Sequence, residues 1–244
     1  MEPRQRQHAT GALADEDKYF YNEEHGLPVI KSLFRGHLGR DVLEIGAGTG
    51  AIAEWLVRGG AHVTAVEPEP ILARKIRTKF AAGDDVRVVE SDSVGAHVIL
   101  AAEGRTFDTV LCVSVLEHIV DDAREFAMAA AVLRPGGRYL VFVPAMPILY
   151  ARIDRETGHV RRYTKRRFRE LCRGAGLEVV SLRYFEVLGI LPYLVVYKVL
   201  RRASITASST GLYNNVILPL SALVDKVLRG RLIGKNLVLV ARKP

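Results

Sequence analysis

The chain has 244 residues, 49% hydrophobic and 25% charged. That usage excludes a disordered or fibrous chain and suffices for one α/β domain with a core needing neither metal nor disulfide. Lys and Arg number 35 against 27 Asp and Glu, a formal charge of +8, and Arg152 to Arg173 alone holds nine basic side chains against three acidic ones, or +6. Cys112 and Cys172 are too few for a disulfide framework, so a reducing cytoplasm is expected. The leader MEPRQRQHATGALADEDK has no apolar segment of signal-peptide type, and secretion is not expected. The longest uncharged apolar run, Val187 to Tyr197, contains a proline and is shorter than the roughly 20 residues that cross a bilayer. It suits peripheral contact with a membrane surface, not a crossing.

In chain order, Tyr19 to Leu38 reads as a helical, partly aromatic approach segment. DVLEI (Asp41 to Ile45) is a strand, GAGTG (Gly46 to Gly50) a turn, and AIAEWLVRG a helix stopped by Gly59 and Gly60. AHVTAVE, VRVVE, FDTVLCV and RYLVFVP follow as four strands. Helices over Pro68 to Ala82, Val94 to Ala102 and Asp121 to Leu133 separate them, the last punctuated by RPGG. Strands alternating with helices at this spacing predict right-handed βαβ units and a parallel sheet covered on both faces. Ala145 to Tyr163 reads as a long loop. Thr164 then caps a helix whose apolar stripe is Phe168, Leu171, Cys172 and Ala175. LEVVSLRYF is a sixth strand and NLVLVARK a final one. Between them lies an insertion of two apolar helices, the second with Leu220, Leu223, Val224, Val227 and Leu228 on one face. The expected organisation is a single domain: an approach or lid segment (1–39), a core (40–187), a helical insertion (188–235) and a last strand (236–244).

GAGTG lies between a strand and a helix, so its glycines let a ligand approach the backbone at the positive end of a helix dipole. With Ala51 the stretch also satisfies the dinucleotide pattern G-x-G-x-x-G/A, and Glu67 stands near the distance expected of a ribose-binding acid. A nicotinamide-dependent oxidoreductase is therefore one reading. Glu44, two residues before the first glycine, suits a cation better than a pyrophosphate. FDTVLCVSVLEHI (Phe107 to Ile119) and VLRPGGRYLVFVP (Val132 to Pro144) complete the set. Together LEIGAGTG, an acid ending the second strand, an aspartate after the third, LEH after the fourth and LRPGG before the fifth closely resemble the class I S-adenosylmethionine-dependent methyltransferases. The resemblance is strong from Val42 to Val143 and looser beyond.

It implies a Rossmann-like, doubly wound seven-stranded sheet with the last strand antiparallel, and S-adenosylmethionine as cofactor. Glu44 with the backbone of Gly46, Gly48 and Gly50 would hold the methionine end. Glu67 would accept hydrogen bonds from both ribose hydroxyls. Asp92 would meet the adenine amino group, with Ser93 adjacent, and Ser114 would line the cleft. Asp92 and Ser93 equally suit a helix N-cap.

A hydroxyl acceptor of a methyl group needs a base, and two histidines stand where one is expected: His118 in LEH and His159 in GHVRRYT. Either can instead cap or support the site. His25, His37, His62 and His97 read as surface residues. Some related quinone-pathway O-methyltransferases bind a divalent metal through LEH and an acid three residues before its glutamate. Here that position is Ser114, leaving Glu117 and His118, so a divalent metal is possible but not predicted. Gly158 to Glu170 resembles a subgroup with a GHxRRY element after the fifth strand. Arg161, Arg162 and Tyr163 suit an anionic group on the acceptor, or the arginines pair with nearby acids. Lys165, Arg166, Arg167, Arg169 and Arg173 read as the wet face of a helix. Tyr19, Phe20 and Tyr21 precede the first strand, where many members of the resembled family carry a lid over the cofactor, or they pack the leader against the core; Tyr21 is the one expected to touch the acceptor.

The expected partner is a small-molecule, glycan or lipid-linked acceptor, with a homodimer as another use of the apolar insertion. A nucleic-acid substrate is disfavoured: the Asn/Asp-Pro-Pro-aromatic turn of base N-methylation is replaced by SVLEH, and Cys112 lies inside a strand. Amine N-methylation remains an alternative.

Overall fold

The computed structural model describes residues 23–199, 220–221, 223–225 and 232–244, apart from the side chains of 23–25. Tyr19, Phe20, Tyr21, the side chain of His25 and most of the second insertion helix lie outside them. Seven strands form one sheet: β1 (Asp41–Ile45), β2 (His62–Val66), β3 (Val86–Val89), β4 (Phe107–Val113), β5 (Leu133–Pro144), β6 (Glu178–Phe185) and β7 (Asn236–Arg242). Their order is β3-β2-β1-β4-β5-β7-β6. β1 to β5 pair in parallel, and β7 runs antiparallel to both β5 and β6. This is the sheet that the resemblance implies.

Strand alternation sends successive side chains to opposite faces. Leu43 and Ile45 pack with α4 (Ser93–Ala102), α5 (Asp122–Val132) and α7 (Lys165–Gly174) through Leu100, Phe126 and Phe168. Val42 packs on the other face against α1 (Glu23–Phe34), α2 (Ala51–Arg58) and α3 (Pro70–Lys79) through Ile30, Leu56 and Ile76. Glu44 is in phase with Val42 and is therefore carried into a buried layer. The chain reverses its winding between β1 and β4, and the carboxyl ends of these adjacent strands form the crevice where open α/β sheets bind ligands.

Three local expectations change. RPGG does not merely end a helix: β5 begins at Leu133, and these residues form an irregularity in its pairing with β4 between Phe107 and Thr109. The segment expected as a loop after β5 contains a 3₁₀ turn (Pro147–Leu149) and a short helix, α6 (Arg152–Glu156). In the second insertion helix Leu220 and Leu223 are exposed, while Ser221 and Asp225 are buried. The polar pair turns inward because the backbone leaving β6 needs acceptors: Asp225 takes the N–H of Glu186 and Val187, and Ser221 that of Leu188. The first insertion helix is described as α8 (Ile190–Tyr193) continuing into a π-helical stretch, Leu194–Val199.

Thr164 caps α7 as expected, accepting from Arg167 N at 3.2 Å, and Phe168, Leu171 and Cys172 face the core. Thr164→Ala should lower stability by about 1 kcal/mol. Urea unfolding should show this as a lower midpoint with an unchanged slope.

Candidate active site

At the end of β1 the turn is shaped by three residues of positive φ, Gly46 (72°), Gly48 (56°) and Gly50 (78°). A side chain at Gly46 would overlap Val115, whereas one at Gly48 would meet nothing within 4 Å. The first glycine thus lets the chain after β4 pack against the turn, and the second leaves space for a ligand. Gly46 N and Ala47 N both donate to Val66 O at 2.9 Å, which ties the turn to β2.

Two acids sit beneath this turn. Glu67 accepts from Gly48 N at 2.7 Å and from Glu69 N at 3.0 Å. Burial raises its pKa, and these backbone donors oppose the rise. Each oxygen keeps acceptor capacity for a hydroxyl. Glu44 is fully buried, and its Oε2 has no hydrogen-bond partner among the described residues. Burial and the neighbouring Glu67 push its pKa up to about 8, with Lys79 opposing. A buried carboxylate lacking a donor is costly unless a cation joins it, so the ammonium of S-adenosylmethionine fits this position.

The other side of the cleft follows β4. Ser114 has a φ of 55° and donates its N–H to Phe142 O, which turns the chain into the short 3₁₀ segment Leu116–His118. Glu117 is buried there, with Oε2 unpartnered among the described residues, and burial lifts it to about 7. His118 is exposed at its outer edge, and burial of its ring, reinforced by His159, pushes it down to about 4. The stretch after β5 folds over this turn: Val160 N donates to Glu117 O, and the His118 and His159 rings meet edge to face at 4.9 Å. His159 Nε2 stands 4.0 Å from Glu117 Oε1. Ligand atoms of Glu117, His118 and His159 all lie within 4.8 Å of one another, a set that suits a divalent cation as well as a proton.

Sequence reasoning left Glu117 as a remnant metal ligand and missed Asp154 and Tyr193. Asp154 is buried, and although burial alone would raise its pKa, donors from His159, Arg162, Ala151 and Tyr193 hold it down at about 2.

The other expected residues have the following partners. Arg161 pairs with Asp122 at 2.7 Å and donates to Val120 O at 2.6 Å. Arg162 is buried, pairs with Asp154 at 2.8 Å and lies over the Tyr193 ring at 4.5 Å. Both arginines therefore take the alternative of pairing with acids, because a guanidinium leaving water needs a carboxylate within reach. Tyr163 is a core residue, stacked on Phe168 with its hydroxyl donating to Leu116 O. It fastens the loop under the LEH turn. Asp92 caps α4 through Gly95 N at 2.7 Å, and Ser93 donates to Glu125. His97 is no surface residue: it is buried with Nε2 3.2 Å from Glu125 Oε1.

The sheet order, the glycine turn at its switch point and the paired acids define a class I S-adenosylmethionine-dependent methyltransferase. A family model described as a methyltransferase domain matches residues 20–182, and the chain belongs to that family. It is 37% identical over 115 residues to a ubiquinone biosynthesis O-methyltransferase of Methylocella silvestris, covering 46% of this chain and 43% of that one. To the protein of the same name from Aromatoleum aromaticum it is 30% identical over 161 residues, 60% of this chain and 68% of the relative. The chain thus spans under half the length of the first relative. A solved SAM dependent methyltransferase from Archaeoglobus fulgidus superposes with a TM-score of 0.64 at 17% identity, covering 93% of this chain and 97% of that one, a likeness of fold.

Because burial keeps Glu44 protonated up to about pH 8, binding an ammonium should expel a proton at neutral pH. Calorimetry of S-adenosylhomocysteine in two buffers of different ionisation enthalpy should show close to one proton released at pH 7, and none in Glu44→Gln. In the unliganded protein the folded pKa lies above the unfolded value of about 4.5. Ionisation of this group therefore costs stability as pH rises from there towards about 8. Glu44→Gln should accordingly melt higher than the parent at pH 8 while losing cofactor affinity.

Proposed function

We propose that this chain methylates a hydroxyl group of a small-molecule acceptor, with His159 taking the hydroxyl proton. The observation that supports this most is the gathering of Glu117, His118 and His159 beside the glycine turn, where an acceptor would meet the cofactor. S-adenosylmethionine supplies an electrophilic methyl group on a sulfonium. The protein's part would be alignment and proton removal: as the methyl passed from sulfur to the acceptor oxygen, His159 Nε2 would take the hydroxyl proton. Glu44, the backbone of Gly46, Gly48 and Gly50, and Glu67 hold the cofactor in this reading, with Asp92 and Ser93 beside the adenine and Ser114 lining the cleft. The names of the relatives support oxygen as the methylated atom.

A labelled-methyl assay over a panel of phenols, sugars, glycolipids and amines tests the reading. Transfer to a hydroxyl acceptor is expected, and transfer only to amines, or no transfer at all, contradicts it. His159→Ala should lower kcat about 10²-fold or more while S-adenosylhomocysteine affinity stays within a few-fold.

The cluster also supports a second reading, in which Glu117, His118 and His159 would hold a divalent cation able to supply Lewis-acid polarisation of the acceptor oxygen. Two imidazoles and one carboxylate suit manganese, iron or zinc better than magnesium. Chelation should abolish activity, and added metal restore it, if this reading holds. Full activity in excess chelator leaves His159 as the base.

The insertion favours an acceptor with an apolar portion. From Val187 to Lys235 the sequence has seven cations (Lys198, Arg201, Arg202, Lys226, Arg229, Arg231, Lys235) and one acid, Asp225. That acid is buried as a backbone acceptor. Leu191, Leu220 and Ile233 are exposed around an apolar groove of about 380 Å³. No helix among the described residues is long and apolar enough to cross a membrane. Exposed apolar side chains on an insertion whose sequence carries a net positive charge suit an anionic lipid surface and a lipid-linked acceptor, although Lys235 itself is paired with Glu186. Sedimentation with phosphatidylglycerol vesicles, and not with phosphatidylcholine vesicles, is expected. A concentration-dependent dimer that ignores both would assign the face to self-association.

A further inference from the structure

We infer that Asp154 is the positioning residue of this site, fixing His159 so that only its Nε2 lone pair faces the acceptor. The inference rests on the reading of His159 as the group that receives the acceptor's proton, and it holds equally if that nitrogen binds a cation.

The carboxylate of Asp154 is surrounded by four donors. Oδ1 accepts from His159 Nδ1 at 2.9 Å and from Arg162 Nε at 2.8 Å. Oδ2 accepts from Ala151 N at 2.8 Å and from the Tyr193 hydroxyl at 2.8 Å. A carboxylate so held is ionised and can only accept, so the proton of a neutral His159 must sit on Nδ1 and Nε2 must be bare. The backbone of His159 is fixed as well. Its N–H donates to Asp154 O at 2.7 Å, and its carbonyl takes the Tyr150 hydroxyl at 2.7 Å. The ring of His118 packs edge-on against it. The imidazole is thus held at Nδ1, along its backbone and on one side of the ring. The remaining nitrogen stands 4.0 Å from Glu117 Oε1, too long for a direct hydrogen bond.

A purely structural Asp154–Arg162 ion pair would need neither the histidine nor the tyrosine. Tyr193 belongs to α8, so the fourth donor comes from the insertion, which packs Tyr193 and Leu194 against Leu149 and Ile153. The orientation of the imidazole therefore depends on the insertion being seated on the loop after β5.

Nitrogen-15 NMR of the histidine side chains in the unaltered protein, with His159 assigned by comparison with His159→Gln, reads the tautomer without any acceptor. A protonated Nδ1 and an unprotonated Nε2 are expected, and the opposite tautomer overturns the inference whether or not methyl transfer is found. In turnover with the fastest acceptor of the panel, Asp154→Asn should lower kcat about 10²-fold or more. KM and S-adenosylhomocysteine affinity should stay within about threefold, because the amide offers a donor where the histidine needs an acceptor. Tyr193→Phe removes one donor of four and should lower kcat about threefold to tenfold with the same tautomer. It serves as the kinetic test if Asp154→Asn does not fold. A folded Asp154→Asn, or failing that Tyr193→Phe, that turns over within twofold of the parent contradicts the assignment.

Discussion

A carboxylate taken out of water must be given donors or a cation, and four that meet this demand differently stand at the edge of the sheet where the chain reverses its winding. Asp154 has four donors and is held ionised. Glu67 has two backbone donors and spare acceptor capacity. Glu44 and Glu117 are each buried with an oxygen that has no partner among the described residues. The satisfied acid is a fixture, and under the proposed function the two unsatisfied ones are where a ligand's charge or proton belongs. They lie on opposite sides of one cleft, Glu44 under the glycine turn and Glu117 after β4, brought together because β1 and β4 are neighbours.

The fold supplies this arrangement through ordinary rules. Period-two alternation buries Glu44 beside Val42, since a side chain cannot leave its face without shifting the whole strand. The missing Cβ of Gly46 lets Val115 settle against the turn. The loop after β5 is then fastened by Tyr163 on Leu116 O and Val160 on Glu117 O. Two of its cations join this fastening, Arg161 on Asp122 and Arg162 on Asp154, and Arg167 of α7 also clasps Asp122. Five of the nine cations of the basic segment, Arg152, Arg161, Arg162, Arg166 and Arg167, pair with acids, but of those acids only Asp122 lies outside the segment, so its positive excess largely persists.

Much of this was legible in the sequence. The seven strands, the glycine turn, Glu44, Glu67 and the Thr164 cap are local signals, each carried by spacing within a few residues. Local rules do not show which distant groups satisfy a buried charge. Asp154 precedes His159 by five residues, yet its role depends on Tyr193, 39 positions away. His97 reads as a surface residue because nothing nearby reveals Glu125 across the helix pair α4 and α5. Ser221 and Asp225 look like the wet side of an amphipathic helix until the unpaired N–H groups after β6 are counted. In each case the missing information was a long-range polar contact.

The most direct test of the two-sided cleft is a crystal structure with S-adenosylhomocysteine bound. The expected result places the ligand's ammonium at Glu44, its ribose hydroxyls on Glu67 and its sulfur turned towards His159 and Glu117. A ligand whose ammonium avoids Glu44, or whose sulfur faces away from His159, would contradict the assignment of the two unsatisfied acids to the two ends of one methyl-transfer site.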